Sequence, residues 1–298
     1  MDTCKLLPPK GNVDVVLDTD AYNEIDDQFA IAWLLRSKER LNTVALYAAP
    51  FFNSKSESPS DGMQKSYDEI FHILNLCGEE RPVFAGSEDY LPNDTTPVPS
   101  PAAEDLIERA MIYSADKPLY VVAIGAITNV ASALLMKPEI KDRIVVVWLG
   151  GNSHDWENTI EFNMKQDYAA ARAVMSSGVP FIQLPCRGVV DYFYSTEPEL
   201  RYWLSGKNPL ADYLAENTIR YMSKQAGTPW TKVIWDVTAV AWLMNEDERY
   251  MFSESQKRRL SDYENQYEQP LEQEMEYVYH IRRNELMDDM LRRILSLG

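Results

Sequence analysis

Short β-branched runs alternate with stretches of helical periodicity along the first part of the chain. VDVVLDTD (13–20) is followed by DDQFAIAWLLRS (26–37), TVALYAA (43–49) by DGMQKSYDEIFHILNL (61–76), and LYVVAIG (119–125) by AITNVASALL (126–135). RIVVVWLGG (143–151) precedes QDYAAARAVMSS (166–177), and PFIQLP (180–185) ends the series. Near-continuous apolar runs belong to strands buried on both faces, so the pattern predicts an α/β fold: a mainly parallel, Rossmann-like open sheet with helices on both faces. Beyond Val189 the alternation gives way to helices rich in Trp and Tyr. The end, YVYHIRRNELMDDMLRRIL (277–295), reads as a strand followed by a terminal helix. The Pro-, Asp- and Thr-rich stretch at 86–102 reads as a surface excursion that either rims a pocket or simply connects two elements. With 298 residues, 45% of them apolar, the chain is expected to form one domain over 1–298.

Charge narrows the partners. The formal net charge is −17, and a surface for nucleic acid needs clustered Lys and Arg to displace counterions, so no nucleic-acid partner is expected. Cys4, Cys77 and Cys186 form no close pair and no metal-ligand spacing, which argues against a disulfide framework or a zinc site and for a reducing cytoplasm. The opening MDTCKLLPPKG has no apolar signal core and no run is long enough to cross a bilayer. A cytoplasmic protein acting on a small molecule, with no membrane partner, is the expectation.

Five carboxylates then stand out: Asp18, Asp20, Glu24, Asp26 and Asp27, all between the first strand and the first helix. In an open parallel sheet ligands bind outside the carboxyl ends of the strands. Carboxylates crowded there repel one another unless a cation, protons or helix-terminal amides compensate them, and a hard cation is the simplest compensation. If the strand runs through DTD, Asp18 and Asp20 point in opposite directions and only one need face the pocket. Taken alone, Asp26 and Asp27 read as helix caps; directly after DTD they read better as ligands.

The stretch resembles the first motif of the inosine-uridine type nucleoside hydrolase family, DTDPGxDDxxAI. Asp18-Thr19-Asp20 and Asp26-Asp27-Gln28-Phe29-Ala30-Ile31 match its two halves, while Ala21-Tyr22-Asn23-Glu24-Ile25 is a link two residues longer. AIGAITNVASAL resembles the family's LGPLTNIA, ENTIEFN its TPxAEFN, and WDVTAVAWLM its [HW]DxxAVAxLL, so the resemblance runs from about Val13 to about Leu243. It implies the nucleoside hydrolase fold and calcium-dependent hydrolysis of the N-glycosidic bond of ribonucleosides. The implied metal ligands are Asp20, Asp27, the Thr128 carbonyl and Asp236. Asp26, Glu161 and Asn163 are the implied ribose contacts, and a further family asparagine falls on Asp155 or, with a shifted alignment, Asn158. Read locally, Thr128 and Asp236 are equally helix caps, and EFN a polar loop.

A Ca2+ site of that composition has oxygen ligands only and open positions for water, which the ion acidifies. Asp20 is the expected base, and the surrounding carboxylates would stabilise positive charge developing on the sugar. Relatives that accept pyrimidine nucleosides commonly carry His before the last Asp as a proton donor. This chain has Trp235, which cannot ionise usefully but can stack on a base, as implied for the purine-preferring branch; otherwise it is a core Trp. His72 and His280 read as structural and His154 as a loop residue near the site. Tyr22, Trp156, Tyr192 and Trp230 are candidates for contacts to the base, and Asn53 for the Gly-Asn that relatives carry near Ala49-Pro50. A homo-oligomer, dimer or tetramer, is implied by the family. Two other readings compete: a non-catalytic calcium and ribonucleoside binder, and a magnesium-dependent phosphatase of haloacid dehalogenase type with Asp18 as nucleophile. The latter gives AITN, EFN and WD no role.

Overall fold

Val15, Val16 and Leu17 are all fully buried in one strand, as expected of a strand covered on both faces. The structure, a computed structural model, describes residues 6–223, 228–261, 265–268 and 274–296. Cys4 lies outside them; Cys77 and Cys186 are buried free thiols. The strands are β1 (Val13–Thr19), β2 (Leu41–Ala48), β3 (Val83–Ala85), β4 (Leu119–Ala123), β5 (Ile144–Leu149), β6 (Phe181–Leu184), β7 (Tyr194–Ser195), β8 (Lys232–Val233), β9 (Met251–Gln256), β10 (Arg259–Leu260), β11 (Tyr267–Glu268) and β12 (Met275–Ile281). The helices are α1 (Asp26–Leu35), α2 (Pro59–Cys77), α3 (Pro101–Ala110), α4 (Thr128–Met136), α5 (Phe162–Gln166), α6 (Tyr168–Ser176), α7 (Glu197–Trp203), α8 (Pro209–Met222), α9 (Val237–Trp242) and α10 (Arg283–Leu295).

Eight strands form one sheet in the order β3-β2-β1-β4-β5-β6-β12-β9, parallel except for β9, which runs antiparallel to β12. β7 pairs with β8 and β10 with β11 as short antiparallel ribbons. The mainly parallel open sheet is therefore the one the alternation predicts. Two pieces lay outside that expectation: β3, only three residues long, and α3, which follows the Pro-rich excursion and starts at Pro101 with Ser100 as its cap. The terminal strand, β12, is inserted between β6 and β9.

Alternating side chains of the central strands feed two cores. Val15, Leu17, Val122 and Val147 pack with α1, α2, α8, α9 and α10, and Val16, Val121, Val146 and Trp148 with α3, α4 and α6. All ten residues of α1 are buried, its two opening carboxylates included. A helix so enclosed needs partners for its polar groups, and Trp33 Nε1 donates to Asp289 Oδ2 of α10 at 3.0 Å. β1 lies between β2 and β4, the helices after β1 and β4 cover opposite faces, and the strand order reverses there. This is the switch point at which open α/β sheets form a crevice. No helix among the described residues is long and apolar enough to cross a membrane.

Candidate active site

The residues just past the carboxyl ends of β1, β4, β5 and β6 enclose a cavity of about 220 Å³. Asp20, Asn23, Glu24, Asp26 and Asp27 line it from the segment after β1, and Ile124 and Leu149 from the ends of β4 and β5. Ile160 and Glu161 come from the loop into α5 and Phe162 and Asn163 from its first turn, Cys186 and Arg187 follow β6, and Trp235 and Asp236 precede α9.

The turn after β1 is closed by Asn23 N donating to the Asp20 carbonyl at 2.7 Å. The longer link is anchored to the loop after β2: Asn53 Nδ2 donates to Asn23 Oδ1 and Lys55 Nζ to the Asn23 carbonyl, each at 2.6 Å. α1 then begins at Asp26, with Ile25 in the capping position and no side-chain cap. Asp26 and Asp27 are thus the first two helical residues and not caps, and both face the cavity. Asp236 does occupy the capping position of α9, yet its side chain makes no cap bond.

Burial and mutual repulsion dominate the electrostatics. Asp20 is pushed well above the ordinary carboxylate range by burial and by the charges of Asp27, Asp26 and Glu24. Its Oδ2 is buried with no hydrogen-bond partner. Asp236 is pushed well up by burial and by Asp27, Asp26 and Asp20. Burial and then Asp26 carry Asp27 up to about 7, against a 2.5 Å bond from Thr19 Oγ1. Burial raises Asp18 to about 7, opposed by Asn129. Burial also raises Asp26, opposed chiefly by Lys232. Burial works against the charge of Glu24 too, but the Lys232 ammonium outweighs it and holds Glu24 low.

Two polar groups are fixed by backbone. The Glu161 carboxylate caps α5, accepting from Gly151 N at 2.9 Å, Asn163 N at 3.0 Å and Met164 N at 3.1 Å. Asn163 Nδ2 donates to the carbonyls of Ile124 and Leu149 at 3.1 and 3.0 Å. Both amide protons are thereby occupied, which turns the side-chain oxygen into the group left for a ligand.

The motif residues Asp20, Asp26, Asp27, Glu161, Asn163, Trp235 and Asp236 therefore share one cavity. Thr128 is fully buried and does not line it; Ile127 holds the capping position of α4, and the Thr128 hydroxyl donates to Asp167 Oδ2 at 2.8 Å. Asp155 and Asn158 do not line the cavity, and Asn158 Oδ1 instead accepts from Ile160 N. Asp18 does not line it either, its Oδ1 being held by Asn129. His154 stacks on Tyr277 at 4.1 Å between Gln183 and Gln256, and burial keeps its pKa low. His72 packs edge-on to Tyr213 and His280 on Phe252. Tyr22, Trp156, Tyr192 and Trp230 are absent from the lining, as is the excursion at 86–102, which acts as a connector bonded to Asp167 through Leu91 N.

Sequence reasoning missed Cys186, Arg187 and Lys232. Arg187 is signalled only by following a strand end. Lys232 carries a stronger signal, a cation beside the apolar Val233 and Ile234 of a segment leading into Asp236, because a buried Lys requires acidic partners. Its Nζ lies 3.0 Å from Asp26 Oδ1 and bonds Glu24 as well.

A carboxylate-lined crevice at the switch point of a parallel sheet defines an α/β protein that binds a small polar ligand there. Comparison with known proteins makes this specific. The family model described as inosine-uridine preferring nucleoside hydrolase matches residues 15–268, and the chain belongs to that family. It is an N-ribosyl hydrolase. A pyrimidine-specific ribonucleoside hydrolase of Shewanella sp. (strain MR-4) is 29% identical over 258 residues, covering 78% of this chain and 77% of the relative. Among solved structures, a purine-preferring ribonucleoside hydrolase from Gardnerella vaginalis superposes with a TM-score of 0.77 at 19% identity, over 95% of this chain and 98% of the other. An inosine-uridine preferring nucleoside hydrolase from Bacillus anthracis gives 0.68 at 17% identity, over 95% and 99%. At such identities these two establish the fold alone.

Proposed function

We propose that this enzyme cleaves the N-glycosidic bond of purine ribonucleosides to free base and ribose, with calcium as its metal. The observation that carries the reading is the gathering of Asp20, Asp26, Asp27, Glu161, Asn163 and Asp236 from three distant segments at one cavity.

The donor set suits a hard cation. It is rich in carboxylate oxygen, Asp20 Oδ2 is buried without a partner, and burial together with the charges of neighbouring carboxylates pushes Asp20, Asp27 and Asp236 upward. Among the described residues no three His, Cys, Asp or Glu side chains stand at metal-ligand spacing. Asp20, Asp27 and Asp236, which line the cavity, are the proposed ligands; the Thr128 carbonyl, the fourth ligand implied by the family pattern, belongs to a residue outside that lining and would have to reach the ion from behind it. When bound, calcium supplies the charge that acidifies the attacking water.

The chain's own groups do the rest. Asp26, Glu161 and Asn163 hold the ribose hydroxyls, and the last two are immobilised by backbone bonds, which favours a fixed sugar orientation. Asp20 accepts the proton of the water that attacks C1′. The C1′–N bond breaks, its electron pair leaves with the base, and the base takes up a proton as it departs. Carboxylates around the sugar stabilise the positive charge that develops on it. Trp235, half-buried in the lining, offers a stacking face for a purine.

Incubation with calcium and a panel of ribonucleosides, followed by assay of free ribose, tests the proposal. Release from inosine or guanosine faster than from uridine supports it. Tight ribose binding with no release from any nucleoside overturns it. A pyrimidine preference is the second reading, favoured by the name of the 29% identical relative, and the same panel separates the two.

A further inference from the structure

Lys232 is 5% exposed, and its ammonium sits between two carboxylates of the cavity wall without lining the cavity itself. Its Nζ donates to Asp26 Oδ1 at 3.0 Å and to Glu24 Oε2, and lies 6.0 Å from the centre of the Tyr221 ring. The other Asp26 oxygen accepts from Trp235 N at 3.1 Å. One short segment, 232–236, thus grips both oxygens of Asp26 and then supplies Asp236. Glu24 belongs to the lengthened link, so the two-residue departure from the family pattern and the buried lysine form one device.

A buried ammonium requires paired charge, and either acid alone would satisfy its net charge. Having both gives it a defined position. Burial works against its charge, but Asp26 and Glu24 outweigh that and hold the proton on Lys232, so it is no acid for the leaving base. What remains is orientation: Lys232 Nζ on one Asp26 oxygen and Trp235 N on the other fix the plane of the carboxylate.

Resting on the nucleoside hydrolase reading above, we propose that Lys232, anchored by Glu24, is a positioning residue that holds Asp26 in the orientation needed to accept the ribose hydroxyls. The alternative role, charge balance in the core, moves stability and leaves the kinetics of folded enzyme untouched.

The test is steady-state ribose release from inosine and uridine by the wild type and by K232M, K232R and E24Q, with melting temperatures alongside. The expected result is a KM raised on the order of tenfold in K232M for every nucleoside the wild type cleaves, the scale typical of lost orienting partners. The change in kcat is smaller, K232R recovers part of the loss, and E24Q shifts KM in the same direction by less. Folded K232M with wild-type KM overturns the inference. Should K232M fail to fold, unchanged KM in both K232R and E24Q overturns it. A wild type that releases no ribose from either nucleoside instead defeats the hydrolase reading, and this inference with it.

Discussion

Asn129 Nδ2 donates to Asp18 Oδ1 at 2.8 Å, joining the first turn of α4 to the end of β1 across 111 positions of sequence. The same amide reaches the Ala48 carbonyl at 3.3 Å, while Asn129 Oδ1 accepts from Ser87 N at 2.7 Å. The carboxyl ends of β1 and β2 and the residues after β3 are tied by one side chain. Gly86 leaves room for it: a Cβ there would stand 2.0 Å from the Ala48 carbonyl oxygen and 2.5 Å from Asn129 Nδ2.

Asn129→Ala therefore strands a buried carboxylate and a buried backbone N–H. The expected cost is roughly 3 kcal/mol, from about 1–3 for each unsatisfied group. Urea unfolding measures it. A loss below about 0.5 kcal/mol, the range of ordinary surface changes, would contradict this role.

The Asp18 carboxyl, raised from 3.8 to about 7, binds a proton in the folded state that the unfolded chain has already released. The stability it contributes is complete below pH 3.8 and is lost as pH rises through about 7. Asp27, also raised to about 7, acts in the same direction. Chelated enzyme should accordingly be less stable at pH 8 than at pH 5. Asp18→Asn keeps an acceptor for Asn129 and removes one titrating group, so its stability should fall less over that interval; identical slopes in urea titrations would refute the assignment.

Asp20→Asn and Asp236→Asn should each lower ribose release by at least about 100-fold, the minimum expected for loss of a general base or of a metal-holding carboxylate. Exhaustive chelation should lower wild-type activity, and added calcium should restore it and raise the melting temperature more for wild type than for Asp236→Asn. Full activity after chelation would reject the metal.

Removing the indole with Trp235→Ala should reduce kcat/KM for inosine about tenfold, the upper end of what an aromatic stack contributes, and affect uridine less. Equal or faster cleavage of uridine by the wild type would exclude a purine preference.

The central strands and the carboxylate cluster were legible because both are written locally. β1 is an apolar run ending at Asp18-Thr19, with Asp20 just beyond it, and α1 begins with Asp26 and Asp27 after the link. What stayed hidden depends on distance. Glu24 is the charged residue of an inserted link until Lys232, 208 positions later, arrives beside it. Nor did any local signal tell Asp155 and Asn158 apart as sugar contacts: the loop from Gly151 to Ile160 sets which groups enter the cavity, and both residues fall outside it. Thr128 illustrates a third limit, since its cap-like spacing is overridden by a tertiary bond to Asp167.

The late insertion of β12 has a bearing on biosynthesis. Residues 275–281 fill the slot between β6 and β9, so until they leave the ribosome β6 presents an open edge ready to pair with a neighbouring chain. The cavity residues precede this strand in the chain, yet the sheet that frames them is complete only once β12 is in place. Chains that stop short of Met275 should be prone to aggregation through the exposed edge of β6.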